Sequence, residues 1–318
     1  MVQMQYLSDI QVKGLLEFKW HKIIEVIEKS FNDPTSCSIP KTYLNASVHG
    51  DYRAMPAALG KFAGIKWIGV FPDNETLPTT IGTFILNDRN SGLPLLSMDC
   101  TTLTAYRTAA TSAIAAKYCA PKAKEFAFIG CGLQARYHIE AYEAVYGHMN
   151  MYLETYDKDG DQMKELHNWV GNESLAKGWG HNKSVEAAVQ HADVITTLTP
   201  STEPYLDISD VKSDCHINAV GADAVGKREL MTNVIDGSAN IVCDDWEQAS
   251  HSGELQYNEW PNLSAITMAD LIKCNDSQKL SKGVSVFDST GIATEDIAIA
   301  ILIYNLWFDE LTKESNEE

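Results

Sequence analysis

The run FAFIGCGLQA, residues 126–135, constrains this chain more than any other segment. Phe126 to Ile129 read as a buried strand, the glycines as a tight turn, and the following residues as a helix reaching about Tyr146. The spacing is G-x-G-x-x-A. Gly130 allows the turn, Gly132 puts no Cβ between the backbone and a pyrophosphate, and Ala135 keeps helix and strand close. The helix N-terminus then offers free N–H groups to an anion. A second strand, Met151–Tyr156, leads to Asp157. A carboxylate there either accepts hydrogen bonds from an adenosine ribose or simply opens a turn. In the first role it repels a 2′-phosphate, which favours NAD over NADP, a preference that Lys158 softens.

Further strands are expected at Val194–Leu198, His216–Val220, Ile241–Cys243 and Val284–Phe287, with a polar helix from about Gln162 to Val170 and other helical stretches between. Such alternation predicts an α/β domain with a parallel sheet covered on both faces. Before Pro121 the pattern differs. Trp20, Ile23, Ile24, Ile27 and Phe31 follow the helical period, and Lys66–Val70, Thr80–Leu86 and Leu95–Met98 read as short strands. Leu103–Tyr118 is an Ala-rich helix that Pro121 ends, because the residue before proline leaves helical geometry. A last helix, Glu295–Lys313, is expected to return to the first domain. The expected division is therefore 1–119 with 290–318, and 120–289.

A net charge of -18 disfavours nucleic acid and anionic membranes as partners. Seven scattered cysteines without a CxxC pair form neither a disulfide framework nor a zinc site, which fits a reducing cytoplasm. The N-terminus lacks the basic and apolar regions of a signal peptide. The apolar stretch Ile297–Trp307 is shorter than the ~20 residues that span a bilayer. No HxxxH or HExxH spacing marks a metal site; His138 and His191 fall in helical contexts, and His216 reads as a core histidine in a strand. Trp67, Trp169 and Trp246 are expected in the core or an interface.

The segment INAVGADAVGKREL carries a strand to its carboxyl end and then presents Gly221, Ala222, Asp223, Gly226 and Lys227. Open parallel sheets bind ligands at that edge, so Asp223 is placed to be a general acid/base; the equal alternative is a helix N-cap. Lys66 sits inside the apolar run GIKWIGV, where a buried lysine needs a partner. With Arg53 and Lys41 it can hold a substrate carboxylate. Arg107, in the Ala-rich helix, reaches a phosphate or forms a structural ion pair.

The segments GDYRAMPA, AGIKWIGVFPDN, RTAATSAIAAKY, FIGCGLQA, INAVGADAVGK, DDWEQASHSGE and FDSTGIATEDIA, taken in order, resemble the ornithine cyclodeaminase/μ-crystallin superfamily over nearly the whole chain. Within it the chain looks most similar to the archaeal-type alanine dehydrogenases. The resemblance implies a Rossmann-type NAD-binding domain inserted in a split α+β substrate-binding and dimerisation domain, and a homodimer. It makes Asp223 the catalytic acid/base and assigns Lys66 to the substrate carboxylate or its reacting centre. Gly130, Gly132, Leu133 and Gln134 fall on the glycine loop, Asp157 on the ribose, and Arg107 and Thr108 on cofactor phosphates. Thr79, Thr199, Val220, Gly221, Ala222, Lys227 and Ser289 match further cofactor contacts.

The cyclodeaminases carry a glutamate where this chain has Arg53, and an arginine where it has Lys41. An arginine repels the distal ammonium of ornithine and attracts a carboxylate. The expected activity is thus NAD-dependent interconversion of L-alanine with pyruvate and ammonia. Alternatives are a ketimine reductase acting on pyrroline- or piperideine-2-carboxylate, a cyclodeaminase-type lyase, and a non-catalytic nucleotide-binding protein of the μ-crystallin kind.

Overall fold

The computed structural model describes residues 4–45, 47–147, 151–257, 265–274 and 280–317, the side chains of 314–317 excepted. The chain divides into two compact units, Met1–Thr108 with Ile292–Glu318, and Ala109–Gly291.

The first unit begins with β1 (Gln5–Leu7), α1 (Asp9–Leu16), α2 (Trp20–Ser30), β2 (Cys37–Ser38) and β3 (Thr42–Leu44). The long strands β4 (Asp51–Leu59), β5 (Phe62–Val70), β6 (Thr80–Asp88) and β7 (Pro94–Asp99) follow, and then α3 (Thr101–Cys119). The sheet order is β1-β7-β6-β5-β4-β2, with β3 also on β4; β1 runs parallel to β7 and the other pairs are antiparallel. Alternation along the strands buries Arg53, Met55, Lys66 and Ile68 on one face and leaves Trp67 on the other. Pro56 explains why β4 is hard to read as a strand. Pro56 falls where neither β3, whose first residue Thr42 lies opposite Ala54, nor β2, whose last residue Ser38 lies opposite Ala57, pairs with β4.

The second unit contains β8 (Glu125–Ile129), α4 (Leu133–Tyr146), β9 (Tyr152–Tyr156), α5 (Gly160–Glu173), β10 (Gly178–His181), α6 (Val185–Val189) and β11 (Val194–Thr197). It continues with β12 (His216–Ala219), α7 (Thr232–Asp236), β13 (Asn240–Cys243), α8 (Trp246–Ser252), β14 (Ala265–Thr267), α9 (Met268–Cys274) and β15 (Ser285–Asp288). All eight strands are parallel, in the order β10-β9-β8-β11-β12-β15-β13-β14. The order reverses between β8 and β11, the switch point at which such sheets bind ligands. Strands β11, β12 and β15 are buried at every residue, as strands covered on both faces must be. Strands β10 and β14 had no counterpart in the sequence reading; both are short edge strands, and Gly178 and Gly180 blur the pattern of β10.

The last helix, α10 (Ala293–Glu317), belongs to the first unit, where Tyr304 meets Phe62 edge to face at 5.6 Å between centroids. The first division falls at 108/109 inside α3 rather than after residue 119. The reason is that Ser112 already bonds within the second unit, to His138 Nε2 at 3.1 Å and, through its carbonyl, to Asn218 Nδ2 at 3.2 Å. Among the described residues no helix is long and apolar enough to cross a membrane.

Candidate functional site

In the second unit the glycine turn follows β8 at the switch point. Gly130 has φ +101°, and a Cβ on it would come within 3.0 Å of the Leu198 backbone, so its glycine is demanded by the fold. Gly132 differs. It caps α4 with an ordinary φ of -73°, and a Cβ there would meet no protein atom within 4 Å. Nothing in the protein demands glycine at 132, whereas a pyrophosphate lying against the helix N-terminus does. The residues present therefore fit a dinucleotide.

Asp157 ties this turn down. Its Oδ2 accepts the Cys131 amide at 2.7 Å and its Oδ1 accepts the Asp159 amide at 2.8 Å. The turn-opening role is thus real, and the same carboxylate reaches the glycine loop. Leu133 is exposed and Gln134 half-buried at the helix start.

At the carboxyl edge of β11 and β12 stand Thr199, Val220, Gly221, Ala222 and Asp223. One carboxylate organises them. Glu229, fully buried, accepts the Thr199 amide and hydroxyl, each at 2.7 Å, and the Tyr205 hydroxyl at 2.8 Å on Oε1. Its Oε2 accepts the Thr197 hydroxyl at 2.6 Å and the Gly221 amide at 2.8 Å. Gly221 has no room for a side chain, since a Cβ would lie 2.2 Å from the Thr199 carbonyl oxygen. Below it, Glu254 accepts the amides of Glu229 at 2.6 Å and Leu230 at 3.2 Å, and Asp288 accepts those of Glu254 and Leu255, each at 3.0 Å. Burial, with Asp288 and Glu229 nearby, pushes the Glu254 carboxyl up to about 9. Ser289 is buried at the end of β15, its amide on the Ala219 carbonyl at 2.9 Å.

Asp223 is not a helix N-cap. No helix follows until Thr232; the chain instead turns through Ala224–Lys227, with Gly226 at φ +86°. The turn brings Lys227 Nζ to 2.7 Å from Asp223 Oδ1. Lys227 thus contacts the candidate acid/base directly.

The first unit holds a different chemistry. Among the described residues the buried lysines and arginines are Lys41, Arg53, Lys66 and Arg107, all in this unit. Arg53 donates from Nε to Asp51 Oδ1 at 2.7 Å and lies over the Tyr43 ring, 5.4 Å from its centroid. Lys41 precedes β3 directly. Lys66, 1% exposed, donates to Asp296 Oδ1 at 2.7 Å. Arg107 forms the ion pair that the sequence had left open, donating from Nη1 to Glu295 at 2.9 Å, while its Nε lies 3.1 Å from the same Asp296 Oδ1. Burial, reinforced by Arg107, pulls the Lys66 ammonium below the ordinary lysine range against the opposing pull of Asp296. Thr79 is exposed before β6, and Thr108 is buried with its hydroxyl on the Thr104 carbonyl at 2.8 Å.

Sequence reasoning missed Glu229, Glu254, Asp288, Glu295 and Asp296. Glu295 and Asp296 had a signal: two acidic residues opening an otherwise apolar helix, in GIATEDIAIAIL. Glu229 had none. Trp67 and Trp246, expected in the core or an interface, are exposed on this chain; Trp67 stacks on Tyr52 at 5.4 Å. His191 lies in a turn just after α6. His138 and His216 are buried, satisfied core residues, pushed down to about 4 by burial.

A parallel sheet with a glycine turn at its switch point defines a Rossmann-type dinucleotide-binding fold, joined in one chain to a first unit that buries Lys41, Arg53, Lys66 and Arg107. The chain belongs to the ornithine cyclodeaminase/mu-crystallin family, whose model matches residues 3–310. It is 37% identical over 283 residues to alanine dehydrogenase of Archaeoglobus fulgidus, covering 83% of each chain. It is 35% identical over 265 residues to ornithine cyclodeaminase of Brucella abortus, covering 79% of this chain and 70% of the other. An archaeal alanine dehydrogenase dimer with bound NAD matches with TM-score 0.88 at 33% identity, covering 96% of this chain and 97% of that one.

Proposed function

We propose that this chain is an NAD-dependent oxidoreductase working at the α-carbon of a small amino or imino acid. Its reaction, on this reading, converts L-alanine, NAD and water to pyruvate, ammonium, NADH and a proton, reversibly. The observation that carries the reading is the gathering of the buried lysines and arginines, Lys41, Arg53, Lys66 and Arg107, in one unit. Burying four cations is costly even where protein carboxylates pair them, and the binding of a carboxylate-bearing substrate gives that cost a function. The similarity to alanine dehydrogenases, one of them described with NAD, supports both substrate and cofactor.

Gly130, Gly132, Leu133 and Gln134 would hold the pyrophosphate and Asp157 the ribose. Thr79, Thr108, Thr199, Val220, Gly221, Ala222, Lys227 and Ser289 would provide the remaining cofactor contacts. When bound, the nicotinamide accepts or returns the hydride at Cα. Lys66, Arg53 and Lys41 hold the substrate carboxylate. Arg107 shares the Asp296 oxygen with Lys66, so we assign it to the substrate anion rather than to the cofactor phosphates. Asp223 takes a proton from the water that attacks the imine and passes one to the departing amine. Arg53 supports this substrate class over ornithine, whose distal ammonium it repels.

We further propose a homodimer. Leu44, Trp67 and Ile81 are exposed apolar side chains on neighbouring strands, and a second copy burying them would satisfy a surface that water does not. The test of function is an absorbance assay of NADH and NADPH against a panel of 2-keto acids with ammonia and of cyclic imines. Turnover of pyruvate with ammonia and NADH is expected. Turnover confined to pyrroline- or piperideine-2-carboxylate would replace alanine by a cyclic imine, and binding without turnover on any of them would overturn the enzymatic reading.

A further inference from the structure

We infer that Asp296 is the residue that holds Lys66 in its ammonium form, a positioning role that rests on reading Lys66 as a cation for the substrate carboxylate. Lys66 sits mid-strand in β5, opposite Met55 on β4 and Phe84 on β6, both buried and apolar. Neither neighbour offers its ammonium a hydrogen bond. From α10, Asp296 Oδ1 receives it at 2.7 Å, and both side chains are out of contact with water. From α3, the Arg107 Nε approaches the same oxygen at 3.1 Å, while its Nη1 donates to Glu295 at 2.9 Å. Among the described residues Cys100 also acts on Lys66, and burial pushes its thiol up to about 12, so it is neutral.

Asp296 therefore serves two cations from one buried position. Without the Asp296 charge, Arg107 would keep Glu295 while Lys66 would lose its carboxylate partner and still lie near the guanidinium. A guanidinium does not give up its proton, so the lysine is the group that yields. Asp296 acts through Lys66, deciding whether that side chain carries charge.

The experiment is NMR of the full-length protein with ¹³Cε-labelled lysine, the Lys66 resonance being assigned by its loss in Lys66→Met. Wild-type Lys66 is expected to stay protonated through pH 8, and in Asp296→Asn its midpoint is expected to fall by at least about one pH unit. A midpoint unchanged in Asp296→Asn overturns the inference. So does a neutral Lys66 at pH 7 in the wild type, a measurement that needs no folded variant. In assays of Asp296→Asn, KM for pyruvate should rise at pH 8 and recover as the pH is lowered, with a smaller change in kcat. A fallen midpoint with KM unchanged across pH would support the inference while removing Lys66 from carboxylate binding, which separates the two claims.

Discussion

Glu229 Oε2 accepts the Gly221 amide at 2.8 Å, while the Glu229 amide is itself held by Glu254 at 2.6 Å. The candidate acid/base therefore stands two residues beyond a backbone group fixed by a buried carboxylate. Glu229→Gln leaves one set of donors facing an NH₂ group, which should destabilise the protein by about 1–3 kcal/mol in denaturant unfolding. NADH affinity, read by fluorescence titration, should fall as the Thr199 and Gly221 backbone loosens. Gly221→Ala should be worse than Glu229→Gln, because its Cβ meets the Thr199 carbonyl oxygen at 2.2 Å.

Asp223→Asn keeps the shape of the turn but removes the proton acceptor. Turnover of L-alanine with NAD should drop by roughly 10²–10⁴-fold, while NADH binding stays close to wild type. Near-normal steady-state rates in this variant would remove Asp223 from the chemistry.

On the acid side, His138 and His216 govern stability. Burial lowers both rings from 6.5 to about 4, so the unfolded chain binds more protons than the folded one between those values. Stability is fully present above pH 6.5 and is lost as the pH falls towards 4, by on the order of 3 kcal/mol for each ring. Urea unfolding measured across that window should show the decline, and His138→Gln should reduce the proton uptake on unfolding by about one.

Glu254 acts in the opposite sense. Its carboxyl is raised from 4.5 to about 9, so the folded state keeps a proton that the unfolded state releases. Its contribution to stability is fully present below pH 4.5 and is lost as the pH rises through about 9. Glu254→Gln should flatten the stability profile between those limits, and an unaltered slope would show that Glu254 is ionised in the folded protein.

Much of the dinucleotide unit was legible because its elements announce themselves locally. An apolar strand, two glycines and a helix sit within ten residues at 126–135, and the alternation of strand and helix continues downstream. Lys66 was visible as well, because a charge inside an apolar strand is a local contradiction, and Arg107 stood out in a helix of small residues. The burial of Lys41 and Arg53 had no such local signal. Strand β4 was obscured by Pro56, whose tolerance depends on a gap in the pairing of two other strands.

What the order of residues alone determined is the parallel α/β architecture of the second unit, the glycine turn and the burial of Lys66, since each follows from neighbours along the chain. What only tertiary structure decided is the carboxylates that serve them. Asp296 meets Lys66 across 230 residues and Glu229 gathers donors from two strand ends, and no local pattern records a partner that arrives from elsewhere in the fold. Burying a charge forces the existence of a counter-charge; where that counter-charge comes from is a matter of packing.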